Sequence, residues 1–134
     1  GFFQANLRLN RAMQRWVQQQ ASLVSGSATG PPSCDLLELF CGNGNLTLPV
    51  ATSFRQVVSV ELDKRAVSAA SVCASRVGIQ NVQFRRLNAE RVGLDGPLDF
   101  AALLVNPPRM GLDAHSLALA SGFEHVLYIS CNPK

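Results

Sequence analysis

No apolar run in this 134-residue sequence approaches the ~20 residues that a membrane-spanning helix needs. Arg8, Arg11 and Arg15 interrupt the N-terminal stretch, so no secretory signal is read there either. The four cysteines, Cys34, Cys41, Cys73 and Cys131, form no Cys-x-x-Cys pair and have no zinc-like spacing with His115 and His125. That excludes a sequence-evident metal site and points to free thiols in a reducing cytoplasm or organelle matrix. Charge is sparse as well, at 16% of residues against 47% hydrophobic, which is the composition of a globular chain rather than a disordered one. A single domain of this length removes roughly two-thirds of its extended-chain surface from water. The net charge is only +3, but ten of the twelve basic residues are Arg, a side chain suited to bidentate phosphate contact. A nucleic-acid partner is therefore permitted, though not required.

What is present is organised around Leu36-Leu37-Glu38-Leu39-Phe40-Cys41-Gly42-Asn43-Gly44-Asn45. An apolar run ending in Gly-x-Gly reads as a buried strand that delivers a tight turn to a ligand. A dinucleotide fingerprint would carry a third glycine where Thr47 stands, so that reading is weakened. S-adenosylmethionine has no phosphate to cradle, and a shorter Gly42-x-Gly44 turn suffices for it. It also calls for a carboxylate ending the second strand to accept the ribose hydroxyls, and Glu61, 16 residues after Asn45, suits that role.

Taken in order, residues 6–20 place Leu9, Met13, Trp16 and Val17 at helical spacing, giving an N-terminal amphipathic helix within residues 1–24. Its three arginines read as a solvated face, with phosphate contact as the alternative. Residues 25–33, rich in Gly, Ser and Pro, form a flexible connector to a core over 34–134. In that core, strands are expected near 35–40, 56–62, 81–87, 100–105 and 126–130. Helices are expected near 46–53, with Thr47 as a possible cap, after Asp63 up to Gly78, and over 113–120; Asp95-Gly96-Pro97 reads as a turn. Alternating strands and helices specify an α/β, Rossmann-like fold with a mostly parallel, doubly wound sheet. Ligands bind such sheets at the carboxyl ends of the strands.

Two further strand ends carry chemistry. Asn106-Pro107-Pro108-Arg109 is a stiff corner, because two prolines fix φ and remove two donors; it aims Asn106 and leaves Arg109 for phosphate or for charge developing on a base. Cys131 precedes Asn132-Pro133, a helix-start pattern, and a thiol at a helix N-terminus has its thiolate favoured by unpaired N–H groups.

With these residues in place the chain resembles the RNA (uracil-5-)-methyltransferase family, which makes 5-methyluridine in transfer or ribosomal RNA, the transfer-RNA branch most closely. The resemblance rests on residues 2–6 (Phe-Phe-Gln-Ala-Asn), 37–45, 106–113 and 128–133, four motifs in the right order. It implies a Rossmann-like methyltransferase fold and a cytoplasmic enzyme with RNA as partner and neither metal nor membrane. It also implies an S-adenosylmethionine site using Gln4, Phe40, Asn45, Glu61 and Asn106 beside the glycines, and Cys131 as nucleophile. Asn106 and Arg109 would meet the base.

Three departures accompany it. Asn106 stands where the family usually has Asp, which keeps one acceptor, adds two donors and loses a charge. Phe40 stands where Tyr is common. The family's proton-removing Glu lies beyond the cysteine, whereas this sequence ends at Lys134, so a C-terminally truncated fragment with poor turnover is expected. Two alternatives remain: a non-catalytic S-adenosylmethionine- or RNA-binding module, and an amino-group methyltransferase using the Asn-Pro-Pro corner, although Arg109 replaces the aromatic residue usual there.

Overall fold

A computed structural model of the chain describes residues 2–27, 29–93, 99–107 and 110–129, with the backbone alone for residues 2–6. The Asp95-Gly96-Pro97 turn, Arg109, and the segment containing Cys131, Asn132 and Pro133 lie outside the described residues. Five strands form one sheet: β1 (Asp35–Leu39), β2 (Gln56–Glu61), β3 (Val82–Arg86), β4 (Ala102–Val105) and β5 (His125–Tyr128). Their order is β3-β2-β1-β4-β5, and all four pairings are parallel. The chain thus steps outward from β1 to β3, then returns to lay β4 on the other side of β1. Between β1 and β4 the winding reverses, and that crevice is where an open parallel sheet binds its ligands.

The two faces of β1 sort by alternation. Leu36 shares a fully packed layer with Val57, Ala102, Leu104 and Leu127, covered by Val17 and Ala21 of α1 (Phe2–Ser25) and by Val50 of α2 (Thr47–Val50). Leu37 and Leu39 face the opposite way, with Val60, Leu103 and Val105, toward Leu119 and Ala120 of α4 (Ala114–Ala120). The remaining helix, α3 (Lys64–Arg76), lies over β2 and β3. The N-terminal helix is longer than the periodicity over 6–20 indicates, and Val17 and Ala21 are wholly buried, so it is part of the core. No helix among the described residues is long and apolar enough to cross a membrane.

Asp63 caps α3 as expected, accepting from the N–H groups of Arg65 and Ala66, and Gly78 follows the helix at φ +78°. Thr47 does not cap. The residue before α2 is Leu46, which makes no side-chain cap bond, while Thr47 is the first helical residue and fully buried. Its hydroxyl donates instead to Glu38 Oε1, which also accepts from Ser59 Oγ at 2.8 Å. A buried carboxyl beneath the sheet competes successfully for the hydroxyl because an unpartnered polar group there would be costly. The expected helix over 46–53 is also interrupted, ending at Val50 and continuing as a 3-10 turn, Ala51–Ser53.

Glu38 sits in mid-strand at 1% exposure, and burial pushes its pKa up to about 7 despite the two hydroxyl hydrogen bonds that favour the charged form. The unfolded chain releases that proton near 4.5, so the folded state holds more protons between the two values. The stability contributed by the protonated carboxyl is therefore complete below about 4.5 and lost as pH rises through 7. Urea unfolding at several pH values is expected to give a Glu38→Gln chain that gains on the parent between pH 5 and 7, by an amount on the order of 3 kcal/mol at most. Parallel pH profiles for the two chains would refute it.

Candidate functional site

The crevice beside β1 is built from the turn that follows it. Phe40 already adopts φ +59°, a left-handed conformation uncommon outside glycine, and its ring packs on the cluster around Leu37 and Leu39. Gly42 (φ +56°) and Gly44 (φ +88°) continue the turn. These two glycines serve different ends. A Cβ on Gly42 would meet nothing within 4 Å, so it faces open space, whereas one on Gly44 would stand 3.2 Å from Ala70 Cβ of α3. Gly44 therefore provides the close helix approach that a dinucleotide fold assigns to its third glycine, the residue replaced here by Thr47.

Glu61 ends β2 beside this turn. Its Oε1 accepts the Gly42 N–H at 3.0 Å and its Oε2 the Asp63 N–H at 2.9 Å. Each oxygen takes one backbone donor and keeps acceptor capacity for a ligand hydroxyl. The carboxylate thus fixes the turn and remains chemically able to receive a ribose diol, which fits the cofactor that the turn suggests.

Asn45 is held from the other side. Its carboxamide exchanges hydrogen bonds with Asn10, Nδ2 of each donating to Oδ1 of the other at 2.6 and 3.0 Å, and Gln14 Nε2 donates to both its Oδ1 and its backbone carbonyl at 3.0 and 2.9 Å. Neither Asn10 nor Gln14 was evident as a site residue in the sequence. Only their place one turn apart on α1, in line with Val17 and Ala21 on the face that packs on the core, could have suggested a shared polar partner. Asn106 and Pro107 follow β4 on the same carboxyl edge, both partly buried. Gln4 lies near the start of α1, where the backbone alone is described, and Arg109 and Cys131 lie outside the described residues. The structure thus brings Phe40, Gly42, Gly44, Asn45, Glu61 and Asn106 to the carboxyl edge of β1, β2 and β4.

Cys41 is the thiol nearest this turn, and it is buried with its Sγ 3.6 Å from the Gly42 carbonyl. Burial, then the charges of Glu38 and Glu61, push its pKa up to about 12, so it carries no thiolate at neutral pH. Among the described residues no group of three or more His, Cys, Asp or Glu side chains could hold a metal ion.

The glycines yield a direct test. Gly44→Ala is expected to lower stability to urea by about 1–3 kcal/mol, combining the positive φ with the contact on Ala70. Gly42→Ala carries the backbone penalty alone, about 1 kcal/mol. Equal losses would show that helix approach is not what Gly44 provides.

The profile of the family described as tRNA (Uracil-5-)-methyltransferase matches residues 1–134. Among curated proteins the chain is similar to the tRNA/tmRNA (uracil-C(5))-methyltransferases of Idiomarina loihiensis and Pseudomonas entomophila. Identity is 39% over 148 aligned residues in each case, covering 99% of this chain but 38% and 39% of the relatives' length. Among solved structures, an rRNA methylase from Streptococcus thermophilus matches with TM-score 0.67 at 17% identity, over 80% of this chain and 62% of that one. The Pyrococcus abyssi tRNA (uracil-54, C5)-methyltransferase, solved in complex with S-adenosyl-L-homocysteine, matches with TM-score 0.65 at 22% identity, over 85% of this chain and 29% of that one. These structural likenesses establish a shared fold.

Proposed function

Because the chain belongs to the tRNA (uracil-5-)-methyltransferase family, we propose that it forms the methyl-donor-binding and thiol-bearing part of an enzyme that methylates carbon 5 of a uridine in RNA, a transfer RNA in the first instance. The observation that carries this reading is the coincidence of the family match over the whole chain with a Gly42–Glu61 turn suited to the donor. Such a substrate implies a cytoplasmic setting.

S-adenosylmethionine, when bound, supplies an electrophilic methyl carbon. Glu61 accepts hydrogen bonds from its ribose, Gly42 leaves room for close approach, and Gln4, Phe40, Gly44, Asn45 and Asn106 line or shape the remainder of the seat. Carbon 5 of uracil is a poor nucleophile, and the chain's answer is Cys131. Its thiolate adds to carbon 6, forming an S–C bond and pushing the ring electrons onto the carbon-4 oxygen as an enolate, which makes carbon 5 nucleophilic. Carbon 5 would take the methyl group as the methyl–sulfur bond breaks and the demethylated thioether leaves; a general base then takes the carbon-5 proton, and the C–H electrons restore the 5,6 double bond and expel the thiolate. Asn106 and Arg109 serve the base edge and the charge that develops on it. As an amide, Asn106 presents either an acceptor or donors, so it suits uracil in one orientation and cytosine in the other. The target nucleotide leaves its stack to reach the crevice, as base-modifying enzymes require.

Two features support Cys131 as the nucleophile. Cys41 is held as a neutral thiol. The backbone after β5 is bound to the right edge, with the Ile129 N–H donating to the Val105 carbonyl at 2.9 Å, just before Asn106. Incubation with S-adenosylmethionine and an RNA carrying 5-fluorouridine is expected to trap a covalent adduct, because fluorine blocks the final elimination, and Cys131→Ala is expected to abolish it. No adduct despite calorimetric binding of S-adenosylmethionine would leave a donor-binding module without this chemistry.

A further inference from the structure

The charge of this chain is distributed unevenly. Residues 1–34 contain three arginines, Arg8, Arg11 and Arg15, and no acidic residue; the first carboxylate is Asp35. From Asp35 onward nine basic side chains balance nine acidic ones, so the net +3 of the whole chain is carried by α1 alone. The three positions are spaced i, i+3, i+7 and form one stripe, about 10 Å long at 1.5 Å per residue. All three are exposed, and the stripe lies across the helix from Val17 and Ala21, its buried contacts with the sheet. Among the described residues the ion pairs are Arg55 with Asp35 and His125 with Glu124, and neither involves α1.

A stripe of guanidiniums with no ion pair among the described residues, on a helix without a single carboxylate, differs from an ordinary solvated face, where both signs alternate. The other side of the same helix holds Asn45 through Asn10 and Gln14, so the stripe is fixed to the rigid turn of the candidate site. We propose that Arg8, Arg11 and Arg15 form a docking surface for the phosphodiester backbone of RNA, each guanidinium contacting a phosphate and positioning the strand without reading its bases. The surface rests on the RNA-methylating reading above for its occupant. Guanidinium matches phosphate geometrically, and a chain with no other net charge gathers its polyanion where its cations are.

The test is the salt dependence of binding between the 134-residue chain and an unmodified tRNA transcript. Replacing all three arginines with Gln is expected to weaken binding about ten-fold or more near 0.1 M salt, and to reduce the slope of log affinity against log salt by about 2 to 3, since each phosphate contact contributes roughly 0.7–0.9. Arg→Lys at the three positions keeps the charge and is expected to retain most of the slope. The control replaces the exposed Arg76, Arg85 and Arg91 with Gln, an equal change in net charge elsewhere. Circular dichroism melts verify folding, and should the triple variant not fold, the three single Gln variants are read instead, each expected to lose about 0.7–0.9 of slope.

An equal loss in the control would overturn the proposal, because net charge alone would then explain binding. So would an unchanged slope in the stripe variant, or a stripe that governs binding to phosphatidylserine vesicles and not to tRNA. Calorimetry with S-adenosylmethionine separates this from the function itself. Donor binding without stripe dependence sinks only the surface, and stripe-dependent RNA binding without donor binding sinks only the methyltransferase reading.

Discussion

The hydrogen bond from the Gly42 N–H to Glu61 crosses from the turn after β1 to the end of β2, and the geometry of the crevice depends on it. Parallel pairing sets Leu39 beside Val60, and the Cys41 N–H donates to the Val60 carbonyl, so the turn begins in register with the strand that carries the carboxylate. The other oxygen of Glu61 takes the Asp63 N–H, Asp63 caps α3, and Ala70 of α3 lies against Gly44. Turn, carboxylate, cap and helix form a closed circuit. The Gly42–Glu61 bond and the approach of Gly44 to Ala70 join residues distant in sequence, so the turn is shaped before any ligand arrives, and binding does not have to order it.

The N-terminal helix completes the enclosure from outside that circuit. Asn10 and Gln14 both donate to the Asn45 side-chain oxygen, and Gln14 also reaches its carbonyl, which fixes the final residue of the turn against the helix. Its amide is engaged with α1, and this contact orients the turn. Because α1 is also anchored by Val17 and Ala21, a load on its outer face bears on the turn through rigid contacts.

Strands, glycine turn and the Asp63 cap were legible because each is specified locally: aliphatic runs, a Gly-x-Gly at the end of one, and an acid before a helical pattern. The parallel sheet itself followed from alternation with helices, although individual limits moved by a few residues. What the sequence hid is pairwise and long-range. Nothing near Glu38 indicates that its partners are Ser59, one strand away, and Thr47, whose hydroxyl was read as a cap. The Asn45 clamp joins residues 31 and 35 positions apart, and no periodicity encodes that distance. Gly44 was recognised as a turn former, but its packing role requires knowing where Ala70 lies.

Two cysteines flank this architecture, and the contrast between them bears on the chemistry. Cys41 adjoins the glycine turn, yet desolvation, reinforced by the charges of Glu38 and Glu61, holds it as a thiol, so its burial there makes it inert. A nucleophile needs the opposite surroundings, with backbone donors and no carboxylate at close range. β5 returns the chain to the carboxyl edge through the Ile129–Val105 hydrogen bond, and in the sequence Cys131 follows two residues later, before Asn132 and Pro133. The same sheet edge therefore separates two requirements. On the β2 side the Glu61 carboxylate orders the glycine turn, and on the β5 side, two strands beyond β1, the strand end lies away from that charge. The reversal of winding between β1 and β4 keeps the ends of β2 and β5 on opposite sides of the crevice.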